Sequence, residues 1–446
     1  DKGHEIIATD SWESARAWTV EGIVIADDHA GLVARLEPPR IVWLMVKAGA
    51  QVDNEIADLL PHLSLGDTII DGGNSLYRDT ERRCRELADK SIGFLGVGIS
   101  GGAEGARHGA AMMVGGDPAV WSGAQPLLSS VAAPYGTDEL TIDHFGKDGA
   151  GHFVKMVHNG IEYAIMEAIA ECHSIMRDHL AMPADDIANT FASWNEGAAA
   201  GFLIEITTEI LRTKDPLGDG GLLAVVDDVA GQKGTGGWTV NAALEYGVAA
   251  PAIFEAVAMR QLSGTTAVRQ FMQDNAARPH IETGSRELVD DLERALVATM
   301  MVSLAQGLDI YSAAAREQGW DVRLPAVLRV WRAGSILRME MLEQLALAVE
   351  QVSEAAHLLV VPAIADQVMA CVPAWRCAVG AAVGAGCPMP VVSAALSYVE
   401  GLASTPLPTV LVQAQRDRFG AHGFRRTDRD GNHHGPWVKG DREAET

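Results

Sequence analysis

The sequence predicts an α/β domain with a parallel, doubly wound sheet over residues 1–148, a large all-helical domain over 149–404, and a C-terminal helix and tail over 405–446. Three observations carry this reading. In the first third, short apolar runs alternate with helical segments, the pattern of crossover units that build parallel sheets. From Gly151 onward the strand runs stop and apolar residues recur at helical spacing. After Thr405-Pro406-Leu407-Pro408 a last helix gives way to a polar stretch.

Taken in order, Glu5-Ile-Ile-Ala-Thr-Asp10 reads as a short strand closed by an acidic residue. Arg40–Val46, Asp67–Asp71 and Gly93–Gly98 are further strands, with helices over Val52–Leu60 and Asp79–Lys90 between them. Ligands of such sheets bind at the carboxyl ends of the strands. The clusters there are Lys47-Ala-Gly-Ala, Asp71-Gly-Gly-Asn-Ser75 and Ser100-Gly-Gly followed by Glu104-Gly-Ala-Arg-His108. Asp10 stands where a dinucleotide fold places the carboxylate that hydrogen-bonds the adenosine ribose. The glycine-rich phosphate fingerprint belongs about 20 residues upstream of that position, whereas the chain begins at Asp1. The expectation is therefore a Rossmann-like domain whose first β-α unit is absent from this chain.

The densest chemistry lies between Gly149 and Glu171. Lys155, His158, Asn159 and Glu162 sit at i, i+3, i+4 and i+7, which places them on one helix face. The flanking Phe153, Val154, Met156, Val157, Ile161, Ala164 and Ile165 are apolar, so the helix is buried nearly all round. Four polar side chains on a buried helix need compensation for their lost hydration. The stripe therefore reads as the wall of an active site, with a base and an acid about two turns apart.

Helices continue over Val154–His179, Pro183–Ala192, Phe202–Leu211, Thr239–Leu244, 286–318, 338–354 and Ala363–Val372, as in an all-α domain. Another ends near Gln415, and the tail Thr427–His434 has little core-forming potential of its own. The pair His433-His434 lacks further spaced ligands, and no metal is assigned.

The net charge of −24 argues against general binding to nucleic acid or anionic membranes, while leaving room for a small anion held by a few local cations. Only eight of the 35 basic residues are lysines, which makes those inside dense motifs more informative. Five scattered cysteines without metal-ligand spacing read as free thiols in a reducing compartment, with the cytoplasm as default. The most apolar run, Ala378–Tyr398, is interrupted by Pro388 and Pro390 and is too short to span a bilayer.

Several stretches together resemble the 6-phosphogluconate dehydrogenase family. They are Leu44-Met-Val-Lys-Ala-Gly, Ile70-Asp-Gly-Gly-Asn-Ser, Ser100-Gly-Gly with Glu104-Gly-Ala-Arg, and His152-Phe-Val-Lys-Met-Val-His-Asn-Gly-Ile-Glu-Tyr163. Ala230-Gly-Gln-Lys-Gly-Thr-Gly236 with Trp238-Thr239, and Gln413-Ala-Gln-Arg-Asp417 with Phe419-Gly-Ala-His422, complete the set in family order.

The resemblance implies oxidative decarboxylation of 6-phosphogluconate to ribulose 5-phosphate and CO2, with reduction of a nicotinamide cofactor. By that resemblance Lys155 is the general base at the 3-hydroxyl and Glu162 the acid that protonates C1. Ser100, Gly101, Gly102, His158 and Asn159 hold the carboxylate and hydroxyls, and Asn74 touches both substrate and cofactor. Tyr163, Lys233, Thr235 and Arg260 bind the phosphate. Arg416 and His422 reach in from the tail of a partner subunit in a homodimer. Met45, Val46 and Lys47 join Asp10 and Asn74 on the cofactor side.

This chain departs from the family pattern at Ala103, where Glu is frequent, at Gly237, where Lys is usual, and at Arg418, where Tyr is common. NADP-preferring members carry Asn-Arg-Thr after the cofactor strand; here the residues are Asp10-Ser11-Trp12. A carboxylate suits the two ribose hydroxyls of NAD and repels a 2′-phosphate, so the expectation leans to NAD, with NADP as the alternative. Two rival readings remain at this level. One is a related β-hydroxyacid dehydrogenase without the phosphate set. The other is a sugar-phosphate-binding or scaffold protein that has lost hydride transfer with its cofactor fingerprint.

Overall fold

The computed structural model describes residues 3–10, 23–275, 286–352 and 357–438. Ser11 and Trp12, beside the cofactor strand, and the end of the 338–354 segment lie outside the described residues. The described chain forms two compact units, one within residues 1–395 and one within 396–446.

In the first unit β1 (Ile6–Ala8) pairs in parallel with β2 (Ile23–Ile25) as a sheet of its own. Helix α1 (His29–Ala34) follows, capped by Asp28, which accepts from the Gly31 N–H at 2.7 Å. A five-stranded sheet then runs in the order β3 (Ile41–Leu44), β4 (Thr68–Asp71), β5 (Gly93–Ser100), β6 (Ala111–Gly116) and, at its far edge, Ile142–His144. That last strand is β9, because a small hairpin, β7 (Pro134–Tyr135) and β8 (Glu139–Leu140), precedes it. Helices α2 (Ala50–Leu59), α3 (Tyr77–Ala88), α4 (Gly102–His108) and α5 (Pro118–Val131) make the connections.

Alternate residues of β4 and β5 enter two different cores. Ile69 and Phe94 pack with Val52, Ile56, Leu59 and Leu87, whereas Ile70 and Leu95 pack with Met112, Val114 and Leu128. Burial on both faces explains why these strands read as continuous apolar runs.

The sheet departs from the expected all-parallel order at one place, where β6 runs antiparallel to β5. The reason is length. Ten residues separate Ser100 from Ala111, and a parallel crossover needs roughly a dozen or more. The short α4 can only turn the chain back.

The rest of the first unit is helical. The long α6 (Ala150–Ser174) continues into a π turn over Ile175–His179. It is followed by α7 (Ala184–Trp194), α8 (Phe202–Arg212), α9 (Thr235–Glu245), α10 (Pro251–Ser263), α11 (Thr266–Asn275) and α12 (Leu288–Gln318). Then come α13 (Leu324–Val330), α14 (Met341–Glu350) and α15 (Pro362–Ala385), and α16 (Pro390–Ala403) runs across the boundary into the second unit. Helix α15 runs past the expected end at Val372, because Pro373 is accommodated in its interior on the exposed side.

Helix α6 lies directly on β5 and β6, and glycines make that approach possible. A Cβ on Gly151 would come within 2.5 Å of backbone atoms of Gly96 and Gly115, and one on Gly98 would overlap the Lys155 side chain. At its other end, the buried Glu171 accepts the Val391 N–H at 2.8 Å and the Val392 N–H at 3.0 Å, capping the start of α16.

The second unit gives the polar tail described structure up to residue 438. Helix α17 (Thr409–Gly420) and a hairpin of β10 (Phe424–Arg425) with β11 (Asn432–His433) close around Asp417, which is fully buried. Burial opposes its ionisation. The Gly435 N–H, the His434 ring, the Trp437 indole N–H and the Gly423 N–H outweigh that and bring the carboxyl down to about 2. A single carboxylate thus does the organising that a hydrophobic core does elsewhere.

Candidate active site

The polar face of α6 carries Lys155, His158, Asn159 and Glu162, and its neighbours turn that face into a site. Lys155 and His158 are buried, and Glu162 is 21 % exposed at its side chain. The imidazole of His158 sits at the centre. Its Nδ1 lies 3.3 Å from Lys155 Nζ, 3.2 Å from Asn159 Oδ1 and 3.6 Å from Glu162 Oε2. Its Nε2 lies 3.1 Å from Ser100 Oγ and 2.8 Å from Ser335 Oγ. Trp331 packs edge-on against the ring at 5.4 Å.

The electrostatics follow from burial. Lys155 is brought down to about 8 by desolvation, against the opposing charge of Glu162. Desolvation raises the carboxyl of Glu162, with Lys155 and Arg260 pulling the other way. His158 is held well below its usual value by burial and by the charge of Lys155, so it is neutral. The result is an amine that is partly neutral near physiological pH beside a carboxyl with raised proton affinity. That pairing suits proton removal at one atom and proton delivery at another.

Ser100 ends β5, and Gly101 follows with φ +107° as the N-cap of α4. A Cβ on Gly101 would press on the carbonyl of Gly334, which requires glycine at this contact. The same loop returns a bond, since the Ile336 N–H reaches Ser100 Oγ at 3.3 Å. Gly102, with φ +58°, has open space beside it.

One turn further along α6, Tyr163 is buried and Arg260 of α10 stacks over its ring at 3.5 Å. Arg260 also donates to the Gly231 carbonyl at 3.1 Å, joining α10 to the loop that carries Lys233. Lys233 is exposed, Gly234 takes φ +94° as N-cap, and the buried Thr235 opens α9. Backbone N–H groups at a helix start, with Lys233 and Arg260 on the adjoining loop and helix, could hold an anion. Thr239 fixes α9 against α6 by donating to the Met156 carbonyl at 2.7 Å.

On the strand-end rim, Asp71 accepts from Ser75 Oγ at 2.6 Å and from Gly73 N–H at 3.0 Å, shaping the turn that presents the exposed Asn74. The buried Arg83 reinforces it, 3.4 Å from Asp71 and 3.0 Å from the Gly49 carbonyl. Met45 is 67 % exposed just past β3, with Val46 half-buried and Lys47 exposed after it. Gly72 lies under Met45, so that a Cβ there would come 2.7 Å from its sulfur. Met45, Val46 and Lys47 thus form a ledge on the rim beside the turn that carries Asn74. Asp10 is exposed two residues beyond β1.

The structure therefore gathers Ser100, Lys155, His158, Asn159 and Glu162 around one ring, and Tyr163 with Arg260 next to them. Arg416 and His422 belong to the second unit, on and just after α17. Ser335 and Trp331 were not foreseen. Ser335 stands 177 residues from His158 in a loop, and nothing in its local sequence distinguishes it from a turn serine.

Known proteins resemble the chain in sequence and fold. Residues 1–146 match the family model described as the NAD binding domain of 6-phosphogluconate dehydrogenase, and residues 151–437 match that of the 6-phosphogluconate dehydrogenase C-terminal domain. The chain is 44 % identical over 407 residues to a decarboxylating 6-phosphogluconate dehydrogenase of Schizosaccharomyces pombe, covering 91 % of this chain and 82 % of that one. It is 42 % identical over 420 residues to the Homo sapiens protein of the same name, covering 93 % and 87 %. The solved Plasmodium falciparum 6-phosphogluconate dehydrogenase, studied as apo form, with its cofactor NADP+ and with its substrate 6-phosphogluconate, superimposes with a TM-score of 0.89 at 36 % identity. That match covers 93 % of this chain and 90 % of the other.

Proposed function

The chain belongs to the 6-phosphogluconate dehydrogenase family, and from that premise we infer which of its residues carry the reaction. It is an oxidoreductase that oxidises and decarboxylates 6-phosphogluconate with a nicotinamide cofactor, giving ribulose 5-phosphate and CO2. In this reading residues 1–148 serve the cofactor, 149–404 the substrate, and 405–446 a neighbouring subunit.

One observation carries the assignment of roles. Lys155 Nζ and Glu162 Oε2 lie 3.3 and 3.6 Å from the same nitrogen of His158, so base and acid face one small volume. Lys155, neutral, takes the proton of the 3-hydroxyl. A nicotinamide held by Met45, Val46, Lys47 and Asn74 would supply the hydride acceptor for C3. The resulting β-keto acid loses CO2, and Glu162, protonated, delivers a proton to C1 of the enediol. His158, Asn159 and the Ser100-Gly101-Gly102 turn hold the carboxylate and hydroxyls. Tyr163, Lys233, Thr235 and Arg260 hold the phosphate, where guanidinium and ammonium donors meet close to two negative charges.

The pH profile tests the base. A lysine that must be neutral gains activity as pH rises through its pKa, so kcat/KM is expected to climb through about 8. A profile already flat from pH 6 upward would contradict the assignment.

The ledge of Met45, Val46 and Lys47 with Asn74 is the cofactor side, and we assign the exposed Asp10 to the adenosine ribose. Its carboxylate favours NAD over NADP, although the Plasmodium falciparum enzyme is seen with NADP+. The expected result is a higher kcat/KM with NAD, narrowed by Asp10→Asn. A clear preference for NADP overturns this part.

Arg416 and His422 are assigned to the phosphate of the partner's site in a homodimer. Mixing Lys155→Met with Arg416→Ala subunits tests it. Each mixed dimer then holds one site with both residues intact, and activity should reappear on subunit exchange. No recovery would confine Arg416 to its own chain. The five free cysteines support a reducing compartment, and we place the enzyme in the cytoplasm.

A further inference from the structure

We propose that Ser335 is a positioning residue: it keeps the proton of His158 on Nε2, so that Nδ1 presents its lone pair to the Lys155 ammonium. The proposal deepens the reading of Lys155 as base and rests on it.

The hydrogen-bond inventory around the ring carries the argument. Ser335 Oγ accepts the Leu337 N–H at 3.0 Å, and Ser100 Oγ accepts the Ile336 N–H at 3.3 Å, so the loop fixes both oxygens. Both oxygens then converge on His158 Nε2, at 2.8 and 3.1 Å. A protonated Nε2 satisfies the two together as a shared donor. An unprotonated Nε2 could take a hydrogen from only one of them and would leave the other facing its lone pair. Ser335, closer and completely buried, is the stronger partner.

The opposite nitrogen explains why this matters. Among the described residues the hydrogen-bond acceptor for the buried Lys155 Nζ is His158 Nδ1, at 3.3 Å. That nitrogen can accept only when it carries no proton. Asn159 Oδ1 lies 3.2 Å from the same nitrogen, and with the isosteric amide turned its N–H end faces Nδ1 instead; the single lone pair goes to Lys155, the charged donor. The charged group acting directly on Lys155 is Glu162 of the same helix, and Arg260 of α10 acts on Glu162 in turn. His158 itself stays neutral throughout. When Lys155 takes the hydroxyl proton, the new ammonium hydrogen-bonds to Nδ1, and no second proton moves.

The direct test is the tautomer, read by 15N NMR of the holoenzyme labelled at histidine and assigned with His158→Asn. The expected spectrum has His158 with a protonated Nε2 and a bare Nδ1. A proton on Nδ1 in the unaltered protein overturns the proposal without any variant having to fold. In Ser335→Ala the resonances should move toward the other tautomer. The acid limb of the kcat/KM profile should then move down by about one pH unit, because an ammonium without its acceptor loses its proton more easily. Ser335→Thr, which restores the oxygen, should restore both readouts. A merely structural role would lower kcat/KM equally at all pH values with the tautomer unchanged, and that result also overturns the proposal. Failure of the base assignment looks different: Lys155→Met would stay active, whatever the tautomer of His158.

Discussion

Replacing Lys155 with methionine is expected to lower kcat by about 10³-fold or more, within the range that a positioned general base supplies. The fold should survive. Among the described residues the buried Lys155 of α6 has a single hydrogen-bond partner, and Gly98 of β5 lies against its stem. Methionine fills nearly the same volume and asks for no hydration, so removing the amine relieves a buried cation rather than creating a void. The thermal midpoint should accordingly be unchanged or slightly raised while turnover disappears. Substrate affinity, carried largely by the phosphate and carboxylate partners, should persist in calorimetry with 6-phosphogluconate. Near-normal turnover by the methionine variant would end the assignment.

The second large effect is expected from the smallest substitution. Gly98→Ala places a methyl group onto the Lys155 side chain, 3.0 Å from its Cγ and 2.9 Å from the Gly151 carbonyl. Neither neighbour can yield cheaply. The strand is held by ladders on both sides, and α6 is pinned to the sheet at Gly151. Overpacking of this kind costs about 1–3 kcal/mol of stability. The larger consequence is catalytic, since a displacement of the base by about 1 Å can reduce turnover about 100-fold. Gly123→Ala in α5 is the control, because open space surrounds it and the helix gains from alanine. Denaturation midpoints and kcat for the two variants separate the effects. Equal behaviour would mean that α6 can move away from the sheet.

How much of this could be read beforehand depended on where each residue finds its partners. The face of α6 was legible because four polar side chains at helical spacing interrupt an otherwise apolar segment. Strands β3, β4 and β5 were legible because burial on both faces leaves uninterrupted apolar runs. Strand β6 was missed, since Ala111-Met-Met-Val-Gly-Gly116 has little β-branched character and its pairing is set by the shortness of α4. The role of Ser335 was invisible, because a serine in a loop acquires meaning only when a distant histidine arrives beside it. Asp417 was recognised only as part of a family motif. Its structural function depends on backbone N–H groups of Gly423 and Gly435, which side-chain patterns do not encode.

Glu171, the cap joining α6 to α16, has a consequence for proton linkage. Burial pushes its carboxyl up to about 8, against the Val392 and Val391 N–H groups, from an ordinary value of 4.5. The native chain therefore holds a proton there that the unfolded chain has released, and folding takes one up between those two values. By linkage, the stability contributed at this position declines as pH rises from 4.5 toward 8 and stays low above it. Lys155 works in the opposite sense, becoming a competent base as pH passes about 8. One helix thus carries a reactive amine near its start that gains as pH passes about 8, and an anchor near its end whose contribution has already fallen by then. The range in which the base is ready is the one in which that anchor contributes least.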